Sequence, residues 1–153
     1  MSIDELKDLV RGIVSDAEKL KNAYTDAVGA PVNYACIFAQ TPAEYEEIEN
    51  LLIKFGKRVQ ETSAGFVYSI PPMETSAGDL QLLKLRKPDP TKPERGDADF
   101  TVADYPGFKD RYLSESGFSL IERPNMEMIE LVNPAFNVRV YFSNPPLGQV
   151  LGI

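Results

Sequence analysis

Residues 83–100, LKLRKPDPTKPERGDADF, constrain this chain more than any other stretch. An apolar run ends in alternating cations, crosses three prolines, and re-enters an apolar run through Gly96 and two aspartates. Pro88, Pro90 and Pro93 cannot donate to a β-ladder and hold the residues before them extended. Residues 88–96 are therefore a stiff connector, neither helix nor floppy linker. On either side of it the same order of elements is legible: a strand, a helix, then three strands. The pattern predicts an α+β chain of two consecutive βαβββ units, residues 31–87 and 97–143. A long helix over 1–29 precedes them and an apolar tail, 144–153, follows.

The elements follow from spacing and punctuation. Ser2 with Glu5 three residues later is a capping box. Ile3, Leu6, Val10, Ile13, Ala17, Leu20, Tyr24 and Ala27 then recur at helical steps, one apolar stripe running to Gly29. Such a helix either straps across its own domain or pairs with its copy in a homodimer. Residues 32–39, VNYACIFA, have the branched and aromatic content of a buried strand. Thr41-Pro42-Ala43-Glu44 reads as a helix start with Thr41 the N-cap, Pro42 at the first helical position and Glu44, on the solvated face, completing a capping box, and Gly56 as its stop. Short strands are expected over 58–61, 65–70 and 79–86, with turns at 62–64 and 71–78. The second unit repeats this: a strand over 98–103, a helix capped by Asp104 and stopped at Gly117, and strands over 118–122, 127–132 and 136–142. Pro42 and Pro106 are 64 positions apart and Gly56 and Gly117 are 61 apart, so the halves match within a small indel.

What the chain lacks narrows its chemistry. It contains no histidine, which excludes Ser-His-Asp and Cys-His catalysis and histidine-ligated zinc. Any metal would sit among oxygen ligands, favouring magnesium, calcium or manganese. A net charge of −7 argues against nucleic acid and against an anionic membrane surface as partners. No apolar run approaches the ~18 residues of a membrane span. The N-terminus has acids where a secretion signal needs a basic region. The lone cysteine, Cys36, excludes an intramolecular disulfide and fits a buried packing role in a reducing, cytoplasmic setting.

Two consecutive strand–helix–three-strand units resemble the vicinal oxygen chelate superfamily of glyoxalases, extradiol dioxygenases and bleomycin-resistance proteins. DADFTVADYPGFKDRYLSESGF is similar to that superfamily's opening strand and helix, and ELVNPAFNVRVYFS to its closing hairpin. Asn133, Pro134 and Asn137 match the hairpin pattern, whereas Phe136 stands where a glycine is usual. The resemblance covers roughly residues 32–143 and implies one cupped mixed sheet around a ligand. It places Asn33 and Asp97 where the superfamily's enzymes carry metal-binding histidines, and Val140, within one residue, where they carry a glutamate. It therefore points to the superfamily's non-metal binders.

Alternation of strand side chains names the candidates. Val138, Val140 and Phe142 share one face of the last strand, Arg139, Tyr141 and Ser143 the other. Ala98 and Phe100 oppose Asp97 and Asp99, while Leu83 and Leu85 oppose Lys84 and Arg86. In a curled sheet Lys84, Arg86, Asp97, Asp99, Arg139 and Tyr141 converge on the concave side, a set suited to a small anionic metabolite. The competing expectation is mutual ion pairing, Arg86 or Arg139 with Asp97 or Asp99. A second alternative is a lyase or isomerase with magnesium or manganese on Asp97, Asp99 and Glu130. A third is a dimeric interaction protein whose cup is filled. Met126 and Met128 share a face with Glu130 and read as core or as the lining of an adaptable apolar pocket.

Overall fold

The computed structural model describes all 153 residues. Helix α1 (Ile3–Tyr24) leads into the first unit: β1 (Val32–Phe38), α2 (Pro42–Phe55), β2 (Lys57–Thr62), β3 (Gly65–Thr75) and β4 (Gly78–Arg86). The second unit is β5 (Gly96–Phe100), α3 (Tyr105–Tyr112), β6 (Phe118–Arg123), β7 (Met126–Leu131) and β8 (Val138–Asn144), followed by α4 (Leu147–Leu151). All eight strands form one mixed sheet in the order β2-β3-β4-β1-β5-β8-β7-β6. Each half reads outward from the centre as first, fourth, third and second strand. The halves meet at β1 and β5, which run antiparallel, while β4 and β8 run parallel to their inner neighbours. Strand order thus shows the repeat that element order predicts.

Local signals hold where chemistry is local. Ser2 Oγ accepts from the Glu5 amide at 3.1 Å and the Glu5 carboxylate from the Ser2 amide at 3.2 Å, completing the predicted capping box. The buried stripe of α1, from Leu6 through Val10, Ile13, Val14 and Ala17 to Leu20, packs against β8, β1, β5 and β3. The helix is a strap across the seam between the halves. It stops at Tyr24, earlier than the stripe predicts. Thr25 donates its amide and hydroxyl to the Lys21 carbonyl, both at 2.9 Å, and buried Lys21 donates to the Ala27 and Val28 carbonyls. These carbonyls give the buried Lys21 ammonium the acceptors it needs beside the helix C-terminus.

The core lies between the helices and one face of the sheet, where Ala35, Ile37, Leu83, Leu85, Ala98, Phe100, Val140 and Phe142 are all buried. Leu83, Leu85, Ala98, Phe100, Val140 and Phe142 lie on the faces that alternation sets opposite the charged candidates, and Ala35 and Ile37 of β1 join them. Gly96 permits the close approach at the seam. A Cβ there would lie 2.3 Å from the Cys36 carbonyl oxygen and 2.8 Å from Ile13 Cδ1.

Strand β5 covers 96–100 rather than 98–103 and β8 138–144 rather than 136–142, and three further details differ from expectation. Pro71 and Pro72 fall inside β3 rather than in a turn, at an irregularity between Ser69 and Met73 where no ladder hydrogen bond is required of them. Helix α3 ends at Tyr112, not Gly117; Gly117, with φ +91°, belongs to the turn into β6. Glu44, expected to close a capping box on a solvated face, instead accepts from the Gln40 amide and pairs with the Arg95 guanidinium at 2.7 and 3.0 Å. That pair ties the connector to α2. The apolar tail docks on its own chain, with the Gly148 amide donating to Asn33 Oδ1 at 3.1 Å.

Candidate functional site

The face of the sheet away from the helices encloses a cavity of about 340 Å³. Register builds its wall in rungs. Across the four central strands Lys84, Cys36, Asp97 and Arg139 stand side by side. The next rung carries Tyr34, Asp99, Tyr141 and Glu130. A further step brings Ser143, Met128 and Ile121 into line. Arg86 lies beyond the first rung, opposite Phe38 on β1, whose ring it covers at 5.4 Å. Gln60 and Thr62 of β2 line the same cavity as Ile121 and Arg123 of β6, so the outermost strands approach one another across the cup. Leu147 of α4 closes part of it.

The six predicted residues separate into two groups. Lys84, Arg86, Asp97 and Tyr141 line the cavity. Arg139 and Asp99 share their strands but are otherwise engaged. Arg139 Nε donates to Glu94 at 2.9 Å, and its terminal nitrogen donates to Glu130 at 3.2 Å. Burial alone would depress the Arg139 ionisation, but Glu94 and Glu130 outweigh it and hold the guanidinium firmly charged. Asp99 is fully buried and accepts from Ser143, from the hydroxyl at 2.6 Å and the amide at 3.2 Å. Burial pushes its carboxyl up to about 8 against the pull of those bonds.

The expected pairing of these arginines with Asp97 or Asp99 does not occur. Arg139 has taken its counter-ions from the connector and from β7, and Arg86 faces only Asp89 of the connector, at 3.7 Å. Asp97, Asp99 and Glu130 do not gather into one ligand set either. Glu130 is held by Arg139 and by the Tyr141 hydroxyl at 2.6 Å, Asp99 by Ser143, and no three acidic or cysteine side chains converge as metal ligands. The positions that the superfamily resemblance aligns with metal ligands behave likewise. Asn33 caps the tail, and Val140 is buried in the core on the opposite face.

What remains in the cup is unevenly paired. Asp97 is only 6% exposed and its Oδ1 has no hydrogen-bond partner; Arg86 Nε is the other buried side-chain atom in the molecule without one. Burial pushes the Asp97 carboxyl up to about 7, even though Lys84, Arg86, Lys92 and Arg139 all pull it down. Lys92, from the connector, also lines the cavity; burial depresses its ammonium, and the neighbouring Arg86 and Arg139 cations depress it further. Cys36 lies on the floor, where burial raises its thiol well above the usual range and keeps it an un-ionised packing group.

Lys92, Tyr34, Cys36, Gln60 and Ser143 are cavity residues that the sequence candidates omit. Tyr34 and Cys36 were within reach of alternation, since in VNYACIF they share the face opposite Ala35 and Ile37. Lys92 was not, because an irregular connector carries no periodicity to aim its side chains. A wider surface groove of about 590 Å³ lies between the α1–β1 loop and α3, but its polar groups are already used. Arg111 pairs with Asp26, and the Tyr112 hydroxyl accepts from the Asp26 amide. It contains no buried unpartnered atom.

No protein-family model matches this sequence, nor does any curated protein. Among solved structures, one described as "Structural Genomics, Protein EC4020" aligns at a TM-score of 0.69 with 12% identity, over 95% of this chain and 92% of that one. The likeness is one of fold. It takes in nearly the whole chain, α1 included. A glyoxalase/bleomycin resistance protein/dioxygenase superfamily member from Vibrio splendidus 12B01 aligns at 0.46 with 9% identity, over 74% of this chain and 97% of that one.

Proposed function

We propose that this protein binds a small anion in the cup, without a histidine metal site. The observation that carries the reading is the charge balance of the cavity wall. Lys84, Arg86 and Lys92 face one carboxylate, Asp97, in a chain whose net charge is −7. Cations gathered around a part-buried cavity are costly where they outnumber the carboxylates set against them, because the surplus charge is desolvated without a full partner. An anion seated among them supplies the missing charge. A guanidinium also offers it a planar, directed hydrogen-bonding edge. Asp89 outside the cavity offsets only part of Arg86, at 3.7 Å and leaving Nε free.

Thermal melting against phosphate, acetate and larger carboxylates tests the reading. A bound anion at 100 times its Kd stabilises by about 2.7 kcal/mol, a shift of several degrees for a domain of this size. Arg86→Met should abolish the shift while leaving the free protein's melting point nearly unchanged, since methionine keeps the contact with Phe38. An absence of any shift with every anion contradicts the reading.

A further inference from the structure

The two buried atoms without partners, Arg86 Nε and Asp97 Oδ1, are of opposite kind: one donates, the other accepts. Both belong to residues of the same cavity. An anion alone satisfies the first and, with Asp97 ionised, worsens the second, because it brings a like charge toward that carboxylate. A ligand that satisfies both carries a negative head and, close to it, a hydrogen-bond donor.

The rest of the wall bears on the ligand's other end. Between the rung of Arg139 and that of Ser143, β8 advances four residues, about 13 Å. Over that distance the concave face changes from Lys84 and Asp97 through Tyr34 and Tyr141 to Met128 and Ile121, with Met126 beyond. The charged end thus passes into a wall of aromatic and thioether groups, the kind of surface that accepts flat or irregular apolar bodies. Arg123 is the cation at that end, and it is exposed at the rim. A cavity of about 340 Å³ is at the small end of the range for organic ligands and far larger than one inorganic anion requires.

Resting on the reading of the cup as an anion site, we infer that its ligand is an organic acid with a hydroxyl or ammonium donor beside its carboxylate and an apolar, ring-sized body. The carboxylate meets Arg86 and Lys84, the donor meets Asp97, and the body lies against Met126 and Met128.

Calorimetric titration with four probes tests this: phosphate (head alone), lactate (head and donor), 3-phenylpropanoate (head and body), and 2-hydroxy-3-phenylpropanoate (all three). Phenylalanine repeats the last with an ammonium donor. The complete ligand, in its hydroxyl or its ammonium form, is expected to bind at least tenfold more tightly than either lactate or 3-phenylpropanoate, and phosphate most weakly. In Asp97→Ala the advantage of the donor should vanish, while 3-phenylpropanoate binds as well as before or better, the like charge being gone. Met128→Ser should weaken only the phenyl compounds. Should Asp97→Ala not fold, Asp97→Asn, which weakens the acceptor, should shrink the donor's advantage severalfold. Equal binding of all four acids in the wild-type protein overturns the inference while leaving the anion site standing, as does a donor advantage that survives Asp97→Ala. Failure of all the probes to bind overturns both.

Discussion

Strands β4 and β8 hold the same place in their two halves, each fourth in its unit and each beside its unit's first strand, and each turns an arginine to the concave face. Their fates differ. Arg139 of β8 is bracketed by Glu94 and Glu130 within hydrogen-bonding distance of both. Arg86 of β4 has one carboxylate at 3.7 Å and a buried Nε with no partner. The same residue type in corresponding strands therefore does two jobs, one closing the structure and the other left open to the cavity. The neighbouring aspartates of β5 repeat the contrast. Asp99 is satisfied by Ser143, and Asp97 is left with a bare oxygen. A site is marked less by which charges a sheet carries than by which of them the rest of the chain has failed to pair.

The contrast can be broken most forcefully at Arg139. Arg139→Ala strands two carboxylates of low exposure, Glu94 and Glu130. It should cost about 2–3 kcal/mol, a drop in melting temperature of roughly 5–10 °C. A loss of ligand binding without loss of stability would mean that Arg139 belongs to the site after all.

The aspartates give the next effect, through pH. Both carboxyls are raised by burial, Asp97 to about 7 and Asp99 to about 8, from an ordinary value of 3.8. A group raised in the folded state stabilises fully below its unfolded pKa and loses that contribution as pH climbs through the folded one. Stability should therefore decline between about pH 4 and 8, by up to ~1.4 kcal/mol per pH unit for each carboxyl. The groups facing Asp97 across this window are Lys84, Arg86, Lys92 and Arg139, all of which oppose its rise. Asp99→Asn can keep both bonds to Ser143 and should flatten the decline, stabilising the protein by about 1–2 kcal/mol at pH 8.5 in chemical denaturation. An unchanged slope would show that Asp99 is ionised throughout.

The smallest effects belong to the open half. Arg86→Met and Lys92→Ala should each change the free protein's stability by less than about 0.5 kcal/mol, because neither removes a short ion pair. Each should nonetheless lower anion affinity several-fold or more. Destabilisation by Arg86→Met comparable to that of Arg139→Ala would erase the difference between the two strands.

How much of this the sequence carried depends on range. Alternation placed Lys84, Arg86, Asp97, Arg139 and Tyr141 on the concave face, since a two-residue period needs only the strand itself. It could not say that Arg139 would be claimed by Glu94, 45 residues away on the connector. That pairing depends on how the connector folds back, and nothing periodic encodes it. Pro71 and Pro72 misled for a related reason. Two adjacent prolines signal a turn, yet a strand tolerates them where its ladder is already interrupted, and only the partner strand β4 reveals that interruption. Helix α1 ends before its apolar stripe does: Ala27 continues the stripe, but the chain turns extended at Thr25, and Lys21 bonds to the loop beyond. The existence of α1 and the doubled βαβββ order, by contrast, follow from caps, stripes and prolines that each act within a few residues; that α1 straps its own sheet rather than pairing with a copy is decided by long-range packing.

The most direct measurement is carbon-detected NMR of the aspartate carboxyl groups during titration with 3-phenylpropanoate. The account predicts a saturable shift of the Asp97 resonance, with its pKa moving upward as the anion binds beside it, while the Asp99 resonance stays in place. Shifts at neither aspartate, or binding that moves Asp99 and leaves Asp97 untouched, would contradict the claim that the unpaired half of the cup is the binding site.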